Sequence, residues 1–365
     1  MTHRQPTRRL ACLIITFLAL ASSYAEERSP ASTAEPYAPL VEHLSALVRE
    51  QNLSGVVLIT TDGQPVYEQA FNLDPLRAHY EIRTDTAFTI ASITKSFTAT
   101  LVLDQVSLGR LALDKPISAY LPTFDASYAD AVSVRQLLQN RSGIPHYTDI
   151  PGWFDPAVKG KFTPESFLAQ IASLALKFPP GEDYYYSNAN YYLLGLILEA
   201  ATGERYEALL EERILEPLGL EHTGQIYLAE ANTVAPTYLR DGDAYERIQL
   251  HNTVLFRATA SQYATAADLA TFGNALVTGS LLNDEMLDVL LDEDHPMGFT
   301  VSATPVADVE VKVITYNGEL AGTTTMLTMF PQGTVVILSN NNTPYATLVR
   351  LTLDIAELAL SGTEP

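Results

Sequence analysis

A serine and a lysine three residues apart, Ser92 and Lys95, lie at the start of an apolar segment that predicts a helix. On a helix, positions i and i+3 share a face, with Cβ atoms about 5–6 Å apart. A serine hydroxyl is a weak nucleophile at neutral pH and needs an adjacent base. Lys95 can be that base if burial lowers its pKa, because desolvation disfavours the ammonium form. The pair therefore predicts nucleophilic catalysis through Ser92.

A second candidate segment holds Tyr186 and Asn188, shortly after a Pro-Pro-Gly sequence at 179–181. The phenol of Tyr186 could relay a proton between Ser92, Lys95 and a leaving group. Which of Tyr186 and Lys95 is the base stays open, and we predict that they act as a unit. The amide of Asn188 could hold the substrate or Lys95. The backbone N–H of Ser92, at a helix start, is a candidate oxyanion donor.

In this order and context, Ser92-x-x-Lys95 followed by Tyr186-x-Asn188 resembles the serine β-lactamase-related family. That group includes class C β-lactamases, D-alanyl-D-alanine carboxypeptidases, D-amino-acid amidases and lactamase-like esterases. The resemblance implies a penicillin-binding-protein fold and an acyl-enzyme mechanism, and it covers most of residues 40–340. Further segments match the usual sequences of the family, at 134–138, 142–145, 192–199, 217–220 and 265–269.

The third element of this family is Lys-Thr-Gly or His-x-Gly on a strand facing the serine, and the resemblance places Tyr316 and Gly318 there. By analogy, the second oxyanion N–H belongs to Glu319. Because Tyr316 replaces the usual cation, nothing at that position would pair with the carboxylate of a β-lactam or a D-Ala-D-Ala terminus. An aromatic residue there resembles the lactamase-like esterases. Residues 259–261 depart as well, since relatives usually carry paired glycines.

Strand patterns occur at both ends of the chain, and helical patterns lie between them. Residues 54–71 and 309–339 indicate hairpins, whereas residues 92–282 are predominantly helical in pattern and 346–360 predict a closing amphipathic helix. The predicted fold class is α+β, with an antiparallel sheet made from both chain ends, flanked by helices, and a mainly helical lobe inserted. This is the β-lactamase/transpeptidase-like arrangement that the resemblance implies.

The predicted organisation has four segments in chain order: a signal peptide (1–25), a flexible lead-in (26–36), a catalytic domain (37–345), and a C-terminal helix with a short tail (346–365). Within it, the sheet lobe comprises residues 37–91 and 283–365, and the helical lobe comprises residues 92–282. Three arginines before an apolar run, followed by Ser-Tyr-Ala at 23–25, predict the signal peptide. The apolar run is short for a membrane span. We therefore expect a periplasmic or secreted protein with no stable membrane anchor after cleavage.

The composition restricts the partners. The chain has 43 acidic and 22 basic residues, a formal net charge of −21, which disfavours nucleic acid and anionic membranes. We expect a small-molecule or peptide substrate: an ester, an amide or a peptidoglycan-derived peptide. The single cysteine, Cys12, lies in the predicted signal peptide. The histidines lack metal-binding spacing and no nucleotide-binding glycine loop is present, so no metal and no cofactor are predicted.

The predicted function is an exported serine hydrolase acting on ester or amide substrates, including D-amino-acid peptides, through an acyl-enzyme. Two alternatives stay open. Tyr316 and the missing glycines would fit a catalytically weak penicillin-binding-like protein that binds cell-wall peptides or a partner, and a class C-like β-lactamase is the other. Tyr147, Trp153 and Phe154 lie in an irregular loop, where they would either line a substrate pocket or form the core of the loop.

Overall fold

The computed structural model describes residues 42, 45–46, 48–50, 52–150, 162–242, 244–250, 253–306 and 309–361. The predicted signal peptide (1–25), the predicted lead-in (26–36), and Trp153 and Phe154 lie outside these residues. The described positions within residues 42–50 are all helical.

An antiparallel sheet joins the two ends of the described chain. Its six strands are β1 (Gly55–Thr61), β2 (Gln64–Phe71), β8 (Thr300–Val306), β9 (Val309–Leu320), β10 (Thr323–Phe330) and β11 (Gly333–Ser339). They lie in the order β2-β1-β11-β10-β9-β8, and Gly55 of β1 pairs with Ser339 of β11. A sheet made from both chain ends is what the strand patterns predict, although β8 was not identified from the sequence.

Two smaller sheets are formed by β3 (Phe88–Thr89), β4 (Gly224–Gln225) and β7 (Gln262–Ala264), in the order β3-β7-β4, and by the hairpin β5 (Thr237–Asp241) with β6 (Ala244–Ile248). Most of these strands lie in the segment whose pattern predicted helices. The two- and three-residue strands β3, β4 and β7 leave no measurable alternation, so the pattern there is dominated by the helices around them. The hairpin β5–β6, with five residues in each strand, was not identified from the sequence either.

The described helices are α1 (Asp74–Arg77), α2 (Thr94–Ser107), α3 (Val134–Leu138), α4 (Pro164–Ser173), α5 (Asn188–Thr202), α6 (Tyr206–Leu210), α7 (Glu216–Leu218), α8 (Ala266–Val277), α9 (Asp284–Leu290) and α10 (Tyr345–Ser361). Helices α3 and α4 open with capping boxes, in which the side chains of Ser133 and Thr163 accept the backbone N–H three residues later. None of the described helices combines the length and the apolar content that a membrane span requires.

The two faces of the large sheet bury different helices, because successive side chains of a strand point to opposite faces. Val57, Ile59 and Ile337 pack with α10, whereas Val56, Leu58 and their neighbours face the main core. Helix α8 covers this second face, and its Phe272 stacks on Phe97 of α2 with ring centroids 3.8 Å apart. Helix α8 therefore packs on the sheet, although it falls within the predicted helical lobe (92–282).

Candidate active site

Ser92 lies in a tight turn between strand β3 and helix α2. The turn is a 3₁₀ helix, Ala91–Ile93, which continues directly into α2. Ala91 is fully buried and has φ of +47°, a left-handed conformation that is uncommon for residues other than glycine. Ser92 is only partly buried, whereas Lys95 is completely buried. The turn thus presents the hydroxyl to the outside and keeps the amine inside the protein.

Ser92, Lys95 and Tyr186 are in hydrogen-bond contact. The Lys95 Nζ donates to Ser92 Oγ at 3.0 Å, and the Ser92 Oγ and Tyr186 hydroxyl oxygens are 2.8 Å apart. The structure therefore brings together the three residues that the sequence predicts to be catalytic. A nucleophile within hydrogen-bond reach of two proton-transfer groups is the geometry that acyl transfer requires.

Burial controls the protonation of Lys95. Its amine donates to the backbone carbonyl of Thr259 at 2.7 Å and lies 5.1 and 5.8 Å from the ring centroids of Tyr186 and Tyr191. Desolvation lowers the pKa of Lys95 well below its usual value. Among the described ion pairs, no carboxylate contacts this amine. Lys95 can therefore exist as a neutral amine and accept a proton.

The segment that carries Tyr186 is fixed to the loop after α3. Asn140 accepts the backbone N–H of Ser187 through its side-chain oxygen at 3.1 Å, and its backbone carbonyl accepts that of Tyr185 at 2.9 Å. The Ser187 hydroxyl donates to the carbonyl of Pro145 at 2.9 Å. The turn at 142–145, whose sequence matches that of the family, therefore supports the segment on which Tyr186 lies.

Asn188, the first residue of α5, is bonded to Tyr186 and to Tyr147. Its Oδ1 accepts the Tyr186 hydroxyl at 3.2 Å, and its Nδ2 donates to the Tyr147 oxygen at 2.8 Å. The sequence left the substrate and Lys95 as candidate partners of Asn188, whereas its described side-chain hydrogen bonds are with the two tyrosines. We call Tyr147, Tyr186 and Asn188 the helix-side wall of the site.

Strand β9 forms the opposite side, and we call Tyr316, Gly318 and Glu319 the strand-side wall. Gly318 lies so close to the Ser92 turn that a Cβ on it would be 2.0 Å from the carbonyl oxygen of Ile90. The Thr325 hydroxyl, on the neighbouring strand, contacts the same carbonyl at 3.2 Å. Only glycine permits this approach. Glu319 is exposed, and its predicted role as an oxyanion donor stays a prediction.

Tyr316 faces Tyr186 across the site and affects its pKa, and it packs edge-on against Phe299, with ring centroids 6.3 Å apart. Burial raises the pKa of Tyr316 well above its usual value, and the ionisable groups that act on it are all tyrosines. Burial also raises the pKa of Tyr186 to about 12, and its hydrogen bond with Ser92 opposes that shift. Both phenols therefore stay protonated at neutral pH.

Two site residues carried no clear sequence signal. Thr259 acts on Lys95 through its backbone carbonyl, which every residue type possesses. His146 stacks on Tyr186 with centroids 6.0 Å apart, and burial, helped by the charge of Lys95, lowers its pKa to about 4. Only its position after the turn at 142–145 could have indicated it. Within the described part of the chain, no group of three or more His, Cys, Asp or Glu side chains could hold a metal ion.

The family model of the β-lactamase family matches residues 40–360, and the chain belongs to this family. The resemblance found in the sequence is thereby confirmed. A D-stereospecific amidohydrolase from Streptomyces sp. has a similar fold, with a TM-score of 0.73 at 24% sequence identity; the match covers 86% of this chain and 97% of that one. The predicted fold class is confirmed as well.

Two curated relatives carry the names of hydrolases. Esterase EstB of Burkholderia gladioli is 33% identical over 190 residues, which are 48% of this chain and 48% of the esterase. A D-aminopeptidase of Brucella anthropi is 33% identical over 184 residues, 49% of this chain and 35% of the peptidase. The matches thus span half or less of the length of these relatives. Their names agree with the prediction of a hydrolase.

Proposed function

We propose that this protein is an exported serine hydrolase that forms an acyl-enzyme at Ser92 and prefers esters without a free carboxylate. The observation that carries the proposal is the contact of the Ser92 hydroxyl with both Lys95 and Tyr186, at 3.0 and 2.8 Å. Membership of the β-lactamase family and the esterase among its relatives support it.

The protonation states assign the two proton-transfer roles. Burial lowers the pKa of Lys95, so its neutral amine accepts the Ser92 proton as Oγ attacks the substrate carbonyl. Burial raises the pKa of Tyr186 to about 12, so its phenol remains a donor. When the tetrahedral adduct collapses, the alcohol or amine leaves with a proton from this unit. Water then attacks the acyl-enzyme, gives a proton to the unit, and releases the carboxylic acid and Ser92.

The strand-side wall supports the preference for uncharged esters. Tyr316 stands where the family usually carries a lysine or histidine, and the largest charge effects on the pKa of this phenol come from other tyrosines. A hydrogen bond to a charged group typically contributes about 1.5–3 kcal/mol. A substrate carboxylate at this position loses that contribution, so β-lactams and D-Ala-D-Ala termini bind less well than simple esters.

The pH dependence follows from the same groups. Because the neutral amine of Lys95 is the active form, kcat/KM rises with pH through the lowered pKa of Lys95 and then levels off. It does not fall until the pH approaches about 12, where Tyr186 loses its proton. The check is a kcat/KM profile for p-nitrophenyl butyrate, corrected for spontaneous hydrolysis. If the residual kcat/KM of Lys95→Met falls at acidic pH in the same way as that of the wild type, the acidic limb belongs to a group other than Lys95.

The decisive test exposes residues 26–365 to a fluorophosphonate, a fluorescent penicillin and short p-nitrophenyl esters. We expect fluorophosphonate labelling and ester turnover, both abolished in Ser92→Ala, with weak penicillin labelling. If the wild type shows neither fluorophosphonate labelling nor ester turnover, the proposal is refuted. Slow release of the penicillin label, without ester turnover, would instead favour the second candidate, a penicillin-binding-like protein. That candidate is motivated by the departures from the family sequence at Tyr316 and at 259–261. Fast β-lactam turnover would favour a class C-like β-lactamase.

The export part of the proposal rests on the signal-peptide pattern of residues 1–25. We expect the protein in the periplasm or the medium, beginning at Glu26. Cell fractionation followed by N-terminal sequencing checks this, and an intact N-terminus in the cytoplasmic fraction would contradict it.

A further inference from the structure

Tyr147 is an aromatic residue of the helix-side wall whose hydroxyl has a polar task. Its side chain is only 4% exposed, and its ring packs against those of His146, Phe167 and Phe256 at centroid distances of 4.6, 5.4 and 5.8 Å. These contacts would hold a phenylalanine equally well. The hydroxyl adds the contact with Asn188 Nδ2 at 2.8 Å, so its function is separable from the packing of the ring.

The hydrogen bond between Asn188 and Tyr147 gives the Asn188 amide a defined orientation. Because the Tyr147 oxygen accepts the proton of Asn188 Nδ2, the other end of the amide, Oδ1, faces the Tyr186 hydroxyl and accepts its proton.

These bonds form a chain of polar contacts that begins at the nucleophile. The chain runs from Ser92 through Tyr186 and Asn188 to Tyr147. Tyr147 lies at the far end of this chain. Its described side-chain hydrogen bond is with Asn188, the residue that holds Tyr186, and not with Ser92, Lys95 or Tyr186 itself.

We propose that Tyr147 is a positioning residue, which fixes the amide orientation of Asn188 and thereby keeps the Tyr186 oxygen beside Ser92. The inference rests on the proposed function, because it concerns the reactivity of Ser92. Without the hydroxyl, the Nδ2 of the half-buried Asn188 loses its acceptor. The amide then turns over or shifts, and Tyr186 leaves its productive position; displacements of this kind reduce rates strongly.

The test measures the second-order rate constant for phosphonylation of Ser92 by a fluorophosphonate, together with kcat and KM for p-nitrophenyl butyrate. We expect Tyr147→Phe to slow phosphonylation about tenfold and to lower kcat with little change in KM. The matched control is Tyr128→Phe, a buried tyrosine whose hydroxyl donates to the carbonyl of Ile171 at 2.7 Å.

A double-mutant comparison separates positioning from a general structural effect. If Tyr147 acts through Asn188, adding Tyr147→Phe to Asn188→Ala slows phosphonylation less than twofold further. The inference is overturned if Tyr147→Phe leaves the rate unchanged, or if Tyr147→Phe costs its full tenfold in the Asn188→Ala background. It is overturned too if Tyr128→Phe slows the reaction equally. A wild type that is not phosphonylated at all would instead refute the proposed function.

Discussion

The two walls of the site are built differently. The helix-side wall consists of polar side chains that bond one another, from Tyr186 through Asn188 to Tyr147. The strand-side wall works through backbone and shape, since Gly318 allows β9 to approach the carbonyl of Ile90. The two walls face each other at Tyr316 and Tyr186, which influence each other's pKa.

This difference indicates which side chains of each wall can be substituted without loss of the chemistry. In a chain of directional hydrogen bonds, each member fixes the next, so substitution of one side chain disturbs the chemistry. On the strand, the glycine and the backbone set the distance to Ser92, and the side chain at position 316 is free to determine which substrate is accepted. We therefore expect rate effects from the helix-side wall and specificity effects from position 316.

The largest expected effect comes from Tyr186→Phe on the helix-side wall. Removal of the phenolic proton eliminates the donor to the leaving group, and loss of a general acid or base typically costs about 10²–10⁴ in rate. We expect a loss in that range in kcat for p-nitrophenyl butyrate. Tyr185→Phe is the control, because the hydroxyl of Tyr185 donates to Asp149 at 3.1 Å and not to a residue of the two walls. Equal losses in both variants would remove Tyr186 from the mechanism.

Gly318→Ala tests the strand-side wall. Its Cβ would lie 2.0 Å from the Ile90 oxygen, so β9 must move away from the Ser92 turn. We expect a loss of about 100-fold in kcat/KM and destabilisation of about 1–3 kcal/mol, the usual result of overpacking. Steady-state kinetics and urea unfolding measure these. Gly109→Ala is the control, at φ +70° with nothing within 4 Å of the added Cβ; it should lose stability and keep its activity.

Tyr316→Lys tests specificity. A cation at this position should pair with a substrate carboxylate, so labelling of Ser92 by a fluorescent penicillin should accelerate about 10- to 100-fold. Turnover of p-nitrophenyl butyrate should change by no more than about threefold. Tyr345→Lys places the same charge on helix α10, at a residue that is 42% exposed, and should have little effect on either reaction. If both lysine variants accelerate penicillin labelling alike, position 316 does not select the substrate.

The smallest effect concerns His146, behind Tyr186. Burial lowers its pKa to about 4 from the usual 6.5, so the unfolded chain binds a proton at a higher pH than the folded protein does. This contribution to stability is full above pH 6.5 and is lost as the pH falls towards 4. We expect about 1–2 kcal/mol after allowance for its partial exposure.

Urea unfolding at pH 7.5 and 4.5 measures this loss. His146→Asn keeps an acceptor for the Thr148 N–H, which His146 Nδ1 accepts at 3.1 Å, and should show a smaller loss of stability between the two pH values than the wild type. An identical loss in both proteins would show that other groups, such as surface carboxylates, account for it.

Much of the fold and of the site could be predicted from the sequence. The spacing of Ser92 and Lys95 determines that they share a helix face, because that depends only on helix periodicity. Strand patterns at both chain ends predict the antiparallel sheet, since alternation is a local property. The short strands β4 and β7 and the packing of α8 on the sheet were not predictable, because they depend on contacts between distant segments.

The sequence by itself determined which side chains can do chemistry, and the absence of a cation at position 316. Only the tertiary structure decided their partners: Ser92 meets Tyr186 across 94 residues, Asn188 meets Tyr147 across 41, and Lys95 meets the Thr259 carbonyl across 164. The physical reason is that a residue type states what a side chain can donate or accept, whereas packing alone sets which group lies within 3 Å of it.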